Sequence, residues 1–395
     1  AIANAPEDPA NTLETSEQRR SQRDALFDYT ILESSRKSFK SATESLYEAT
    51  SIKLAIISNN LFQTISDGFP DTDRSGVSSD LDVVATWELI NKGEPTQGQI
   101  FLHMEGRWDY GTTPPSDLGD FSLGSITRTA DPFNSYTPTF LARNFYWQQG
   151  SSNAGWTYRL GKITPDQTLG TSFHLNPFTT FLPSGSVGSN APHPDSGLGA
   201  VGVKYFNNQR AYILGLVSDA NGDRYDFGDI TEGDFFKAVE FGYKIRPHTD
   251  RAGYSKLTIA HTDGTKDGFP NNVSLGPSGW SIAAKLEQEL TRDGRMIGIL
   301  KYGRTFDESG LFKHLASGHL VVNDPKVPGL RAIANDAIGV GLVWAETHIP
   351  NTRAETNLEF FYRLPFFHQL DVTVSYQSIW NVGRNPDVDQ ANVFS

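Results

Sequence analysis

Four polar residues alternate along residues 100–110 and form the densest charged motif of the chain. His103, Glu105, Arg107 and Asp109 stand two positions apart, separated mostly by apolar residues. Imidazole, carboxylate and guanidinium groups in such a row offer donors and acceptors to a polar ligand. The chain shows no phosphate-binding glycine loop, nucleophile elbow, paired catalytic carboxylates or HExxH-like histidine spacing. The motif therefore indicates reversible binding of a hydroxyl-rich solute, with no catalysis, no cofactor and no metal site.

Further groups join this motif if the fold brings them to the same surface. Arg159 lies on the polar side of a candidate strand that precedes a long connector, and Phe178 lies within that connector. Two later candidate strands add more charges. The alternative is that these are ordinary wall residues that compensate one another across neighbouring strands. The complete candidate binding set is Glu105, Arg107, Asp109, His103, Arg159, Lys285, Glu287, Glu359, Arg363 and Phe178.

Alternation of polar and apolar residues predicts the elements that carry these groups. In residues 80–89, Val83 and Trp87 stand on one side of the pattern, and Asp82 and Glu88 stand on the other. A period of two predicts β-strands with one apolar face. That face meets a protein core in a soluble sandwich and lipid in a membrane barrel, so alternation alone leaves both open. The pattern recurs in residues 100–110, 280–290, 357–364 and 370–379.

Connector lengths favour the membrane barrel. Short turns such as 92–96 and 207–209 alternate with long loops such as 163–199, although the rule weakens near 306–336. Outer-membrane barrels have short periplasmic turns and longer outer loops, whereas a soluble sandwich has no reason to sort its connectors. The sequence therefore predicts an all-β fold, a transmembrane antiparallel β-barrel of about sixteen strands over residues 51–395.

The longest connector is too apolar to extend into water. Between two candidate strands it carries Phe173, His174, Phe178, Phe181 and Leu182. Folding into the lumen would bury the aromatic side chains and narrow the pore, so we expect an inward-folded loop. Packing over the barrel mouth is the alternative.

Composition excludes several other classes of protein. The chain has 395 residues, no cysteine and a net charge of -12, so a disulfide scaffold, thiolate chemistry and a nucleic-acid partner are not expected. The mean hydropathy is -0.40, and no run approaches the roughly 18 apolar residues of a membrane helix. Strands that hide apolar residues at alternate positions keep the average low. Aromatic residues make up 12%, which suits interfacial girdles.

Residues 1–50 differ from the rest and form a separate predicted region. Leu32, Phe39 and Leu46 recur every seven residues, which predicts an amphipathic helix or a short coiled coil. Because this segment precedes the first strand, we expect it on the periplasmic side. It is a candidate to join barrels into a homo-trimer or to contact a periplasmic or cell-wall partner. A surface helix packed on its own domain is the alternative.

Both ends of the chain carry expectations. Ala1 without an initiator Met suggests a mature protein after signal removal. The sixteenth strand starts at Ala391 and Val393 and stops at Ser395, so we expect about seven to ten further residues to complete it. Such closure is needed because lipid cannot satisfy an open strand edge.

One loop has the composition of a calcium site. Residues 219–229 read DANGDRYDFGD, but the glycine is out of place for an EF-hand and no terminal Glu follows in register. We interpret the segment as a turn-rich outer loop, and whether calcium orders it stays open.

The last forty residues carry the strongest family resemblance. The run TNLEFFYRLPFFHQLDVTVSYQSIWNVGRNPDVDQANVFS has a Glu-aromatic-Tyr strand at Glu359, Phe361 and Tyr362, then a strand with a late Gln377. A turn with Pro, Asn and Asp leads to the closing strand. This ending resembles the OprB-type carbohydrate-selective porins. Weaker matches run back to about residue 100, through segments such as GWSIAAKLEQEL and AIGVGLVW.

The resemblance implies a sixteen-stranded channel for monosaccharides or small oligosaccharides. The family places an acidic residue and an arginine in the third strand, which fits Glu105 and Arg107. The chain departs from the family in its longer N-terminal segment and in Ser395, where a closing aromatic residue is expected.

The sequence therefore predicts an outer-membrane porin for passive diffusion of small solutes, with mono- or oligosaccharides preferred. Its partners would be small sugars and outer-membrane lipid in a Gram-negative bacterium. A general or polysaccharide-export channel on the same barrel is one alternative. A soluble all-β carbohydrate-binding protein is the other.

Overall fold

The computed structural model is a single antiparallel barrel. Its described residues are 26–27, 30–111, 113–135, 140–187, 190–228, 230–249, 252–264, 277–325, 336–367 and 370–395. Within these ranges, sixteen strands each pair with the next along the chain, and β16 pairs with β1 to close the sheet. The strands are β1 Ile52–Ile65, β2 Ser75–Ile90, β3 Gly98–Asp109, β4 Phe140–Ser151, β5 Trp156–Ile163, β6 Gly197–Phe206, β7 Ala211–Asp219, β8 Phe235–Tyr243, β9 Ser255–Thr262, β10 Gly279–Glu289, β11 Met296–Thr305, β12 Phe312–Asn323, β13 Ala337–Thr347, β14 Glu355–Phe367, β15 Leu370–Trp380 and β16 Gln390–Phe394.

The two faces of each strand meet different surroundings, as the alternation predicts. On the outside, Trp87 and Phe360 are 45% and 47% exposed, and Trp108 is half-buried. On the inside, Glu105 and Arg107 are 2% and 8% exposed. Covering a large apolar side chain is worth about 1.5–3 kcal/mol, so an outer face of this kind suits hydrocarbon. The predicted fold class is confirmed, and the arrangement is the inverse of a soluble sandwich.

Connectors are sorted by length between the two ends of the barrel. One end, here the long-loop end, carries residues 110–139 and 164–196, among others. The opposite, short-turn end carries tight turns such as 207–210 between β6 and β7. The rule reverses near residues 306–336, where the connector 306–311 at the long-loop end is shorter than the connector 324–336 at the short-turn end.

Two connectors fold into the barrel. The first, between β3 and β4, begins with short helical turns at Pro115–Asp117 and Leu118–Leu123. The second, between β5 and β6, buries Phe181 against Phe361 of β14, with ring centroids 4.9 Å apart. The apolar core therefore lies inside the barrel, between the connectors and the wall, and the predicted inward fold of the second connector is confirmed.

A helix, α1 (Thr30–Thr50), leads directly into β1 at the short-turn end. Its Phe39 side chain is 44% exposed, and Leu46 is half-buried. The Tyr47 hydroxyl donates to Glu88 over 2.8 Å. No helix in the described ranges is long and apolar enough to cross a membrane. Residues 1–25 and the Leu32 side chain of the predicted segment lie outside the described residues.

The closing strand β16 makes its longer ladder with β15. With β1 it pairs only through Thr64 opposite Phe394 and Ile65 opposite Val393. The expectation of further residues after Ser395 stays a prediction.

Candidate functional site

A chain of alternating charges begins on the inner faces of β2 and β3. The Arg107 Nε donates to Asp80 Oδ2 over 2.8 Å, and its second terminal nitrogen donates to Glu105 Oε1 over 2.7 Å. The remaining terminal nitrogen donates to Asn134 Oδ1 of the first connector over 2.8 Å. The guanidinium is therefore held on three sides, because its planar donors match oxygens placed around it.

Arg143 of β4 extends the chain of charges. Its Nε lies 3.3 Å from Glu105 Oε2, and its Nη1 pairs with Asp195 at the end of the second connector. A register shift between His103 and Met104 leaves an extra residue in β4, and both Arg143 and its neighbour Asn144 are buried inside the barrel. The β-bulge thus brings an arginine into the lumen from a position that strict alternation would place outside.

Asp195 is shared by two arginines from different elements. Besides Arg143, Arg224 of the β7–β8 connector lies with its Nη2 2.7 Å from Asp195 Oδ2. Burial on its own would raise the pKa of Asp195. The charges of Arg143 and Arg224, with the amide of Ser196, outweigh it and hold the pKa of Asp195 well below the usual range. The carboxylate therefore stays charged and joins two connectors to the wall.

A second polar group lies beside the charge chain. His103 Nε2 is 2.6 Å from Asp82 Oδ1, and its Nδ1 is 3.4 Å from Asn144 Nδ2. The Asn144 amide also donates to Gln167 Oε1 over 2.7 Å, and its Oδ1 accepts from Thr164 N over 2.8 Å. Asn144 thereby fixes both the start of the second connector and the tautomer of the imidazole, with Nε2 donating to Asp82.

A cavity of about 360 Å³ lies between the wall and the two connectors. Its lining includes the charged or polar side chains of His103, Glu105 and Arg107. It also includes Phe178, whose ring lies 5.6 Å from Phe133 in an edge-to-face arrangement. Paired charges and an aromatic ring in one cavity can take up a neutral polyhydroxyl solute through hydrogen bonds and stacking.

The structure brings together four of the ten predicted site residues. His103, Glu105, Arg107 and Phe178 all line the cavity. The four charges on later strands lie instead behind the second connector and bind its backbone or one another. These four are Lys285, Glu287, Glu359 and Arg363.

Asp109 and Arg159 also lie away from the cavity lining. Asp109 is half-buried at the end of β3, opposite Ser78. Arg159 donates to Gln148 Oε1 over 3.0 Å and covers the Tyr146 ring at 4.9 Å. Their predicted role in binding stays a prediction, and neither contacts the charge chain in the described residues.

One group could in principle hold a metal ion. Ligand atoms of Asp82, His103 and Glu105 lie within 4.8 Å of one another. However, Glu105 binds two guanidinium groups, and His103 donates to Asp82. The neighbouring positive charge of Arg107 opposes a cation here, so the geometry favours a hydrogen-bonding surface over a metal centre.

A closed barrel of sixteen strands with an apolar outside, a polar lumen and inward-folded connectors defines the porin fold. Two solved structures of one protein share this fold with TM-scores above 0.5. The high-pH structure of OprB from Pseudomonas putida superposes with a TM-score of 0.69 at 12% identity, covering 90% of this chain and 95% of that one. The low-pH structure of the same protein gives 0.52 at 10% identity, covering 94% and 98%. An engineered porin of Rhodopseudomonas blastica gives 0.48 at 10% identity, covering 87% and 98%. No protein-family model and no curated protein sequence matches the chain. The resemblance noted in the sequence is confirmed at the level of the fold.

Proposed function

We propose that this chain is an outer-membrane porin for passive diffusion of small polar solutes, with mono- or oligosaccharides as the preferred class. The main support is the lumen cavity, whose lining combines the alternating charges of Arg107, Glu105 and Arg143 with the aromatic ring of Phe178. Charges that neutralise one another leave little field to attract an ion, while carboxylate and guanidinium groups are suited to weak hydrogen bonds with hydroxyl groups. Weak binding of this kind permits both entry and exit.

The exterior supports the location. A belt of exposed apolar side chains such as Leu300 and Trp280 needs hydrocarbon rather than water. In this setting the long-loop end faces the medium and the short-turn end faces the periplasm. The fold thus supports a channel rather than an enzyme, and lipid of the outer membrane is its first partner.

Planar-bilayer recording tests the function. Purified protein should insert as open channels, and glucose or a maltooligosaccharide should reduce the ion current in a saturable way. Arg107→Ala should weaken that block. Open channels that are insensitive to sugars would favour a general pore, and passage of long polysaccharides would favour an export channel. Absence of any conductance from correctly folded, heat-modifiable protein would refute the porin assignment.

The N-terminal helix is a candidate for assembly. Phe39 is exposed on α1, while Tyr47 and Thr50 at the C-terminal end of the helix hydrogen-bond to Glu88 and Trp87 of β2. We propose that α1 joins barrels into a homo-trimer, with a periplasmic or cell-wall partner as the alternative occupant. Deleting residues 1–48 should lower the oligomer mass in detergent, and an unchanged mass would exclude the helix as the joint.

A further inference from the structure

Charged side chains of the barrel wall hydrogen-bond to the backbone of the second connector. Glu240 of β8 accepts a hydrogen bond from Gly170 N over 2.7 Å. Lys256 of β9 and Lys285 of β10 both donate to the carbonyl oxygen of Thr171, over 2.6 Å and 2.7 Å. Gly170 has a φ of +65°, in the left-handed region that favours glycine. We call these three wall residues the first clamp.

The first clamp is itself supported by buried partners. Glu240 also accepts from the Tyr212 hydroxyl over 2.6 Å and from Thr258 Oγ1 over 2.7 Å. Lys285 pairs with Glu287 Oε2 over 2.7 Å. Because Glu240, Lys256 and Lys285 are at most 5% exposed, their hydrogen bonds meet little competition from water. The positions of the clamp side chains are therefore set by the barrel wall, independently of the connector.

A second clamp holds the same connector further along. Both carboxylate oxygens of Glu359 accept from Leu182 N, at 3.2 Å and 3.1 Å, and Ser375 Oγ donates to the same carboxylate over 2.6 Å. Lys301 Nζ donates to the carbonyl oxygens of Ser186 and Val187, both over 3.2 Å. These bonds again reach the backbone rather than the cavity.

The segment between the clamps carries the aromatic side of the cavity. It includes Leu175 and Phe178, which line the cavity, while the clamp residues do not. Glu359 and Lys301 are 1% and 5% exposed, so the hydrogen bonds of the second clamp, like those of the first, meet little competition from water. A connector held at both ends by such bonds can keep Phe178 at a fixed distance from Arg107.

We propose that Glu240, Lys256, Lys285, Lys301 and Glu359 are positioning residues that set the pore width by holding the second connector through its backbone. They act on solutes only through the connector. This inference rests on the proposed porin function, since pore width is read from conduction.

The first experiment removes one clamp. In the variant Lys256→Met/Lys285→Met, the Thr171 carbonyl loses both ammonium donors while side-chain bulk is kept. The loss of charge-assisted bonds should raise the population of released connector about tenfold or more. Single-channel recordings should then show closures and a noisier open level, and larger polyethylene glycols should enter. Lys313→Met is the control, because Lys313 lies at the rim of β12 and pairs with Glu346 instead.

The second experiment separates position from charge. A Cβ built on Gly185 would lie 3.6 Å from Val343 Cβ, within the roughly 3.5–4.5 Å window of a disulfide. Its close contact with Val343 Cγ1 disappears in Gly185→Cys/Val343→Cys, and the native chain holds no other cysteine. Added to Lys301→Met, the oxidised pair should restore a quiet open level, and reduction should abolish the rescue.

The outcomes are distinct. If the wild type forms no channel, the proposed function fails. If the wild type conducts and Lys256→Met/Lys285→Met shows the same noise and solute cutoff, the positioning role is overturned. If Lys301→Met is noisy but oxidation leaves the noise unchanged, the lost charge rather than the released connector is responsible, and the inference also fails. Folding of each variant is checked by heat-modifiable migration.

Discussion

Glu355 anchors the first connector through several hydrogen bonds. This fully buried carboxylate at the start of β14 accepts from Ser125 Oγ at 2.6 Å and from Thr127 Oγ1 at 2.7 Å. It also accepts from the backbone amides of Ile126, Thr127 and Gly383, at 3.1, 3.1 and 2.8 Å. One side chain therefore joins the first connector to the β15–β16 connector.

Replacing Glu355 by Ala should destabilise the protein strongly. Three backbone amides and two hydroxyls lose their acceptor, and each buried unsatisfied group costs about 1–3 kcal/mol. The hydroxyls can rotate towards other acceptors, and water can enter the space that the side chain leaves. We therefore expect a loss of about 3–5 kcal/mol in the free energy of unfolding, at the upper end for single substitutions. Glu355→Gln should lose less stability than Glu355→Ala, because the glutamine carbonyl oxygen can still accept a hydrogen bond. The loss that remains comes from its NH2 group, which would face donors.

Urea unfolding in lipid or detergent measures this loss, with limited proteolysis of residues 113–135 as a second readout. Glu346→Ala is the matched control. Glu346 is a half-buried carboxylate on β13 whose ion pair with the similarly half-buried Lys313 should contribute at most about 1 kcal/mol. Equal destabilisation by the two variants, or a Glu355→Ala protein as stable as the wild type, would contradict the anchoring role.

Three shorter predictions concern the cavity. Arg107→Ala leaves Asp80 and Glu105 without their shared guanidinium, so cation preference should rise, and the reversal potential across a KCl gradient measures it. Phe178→Ala removes an aromatic wall, so conductance should rise while block by sugar weakens; unchanged block would remove Phe178 from the binding surface. Asp195→Asn should destabilise the protein at neutral pH, because the folded pKa of Asp195 is depressed by Arg143 and Arg224. That contribution is present above the ordinary aspartate pKa of about 3.9 and is lost as pH falls through the folded value. The wild type and the variant should therefore converge in stability only in strong acid, as thermal melts across pH would show.

The barrel could be predicted from the sequence because its signal is local. The two faces of each strand can be recognised from adjacent residues of opposite polarity, as Trp87 outside and Glu88 inside illustrate. The inward fold of residues 164–196 was predictable from the apolar and aromatic residues in that connector. The helix α1 was also predictable, but which of its possible partners covers Phe39 depends on another molecule and not on the local pattern.

The site was only partly predictable because its geometry breaks the local rule. Arg143 follows Ala142 and precedes Asn144, so a period of two cannot place both polar residues inside. The bulge that does so depends on how β4 pairs with β3. Asp195 and Arg224 lie in connectors, where no period exists. Asn134 reaches Arg107 only because the first connector folds inward.

The lumen-facing charges belong to two populations that look alike in sequence. Arg107 faces the cavity, whereas Lys285 has the same polar placement on its strand but lies under the second connector. Both side chains point into the lumen because a charged group is costly on the lipid-facing side of the wall. Only the path of the connector decides which of them meets a solute and which meets a peptide carbonyl. A charged residue on a barrel strand therefore predicts only that its side chain faces away from lipid. Assigning that residue to a binding site requires showing that its charge is not already hydrogen-bonded to the backbone of a loop.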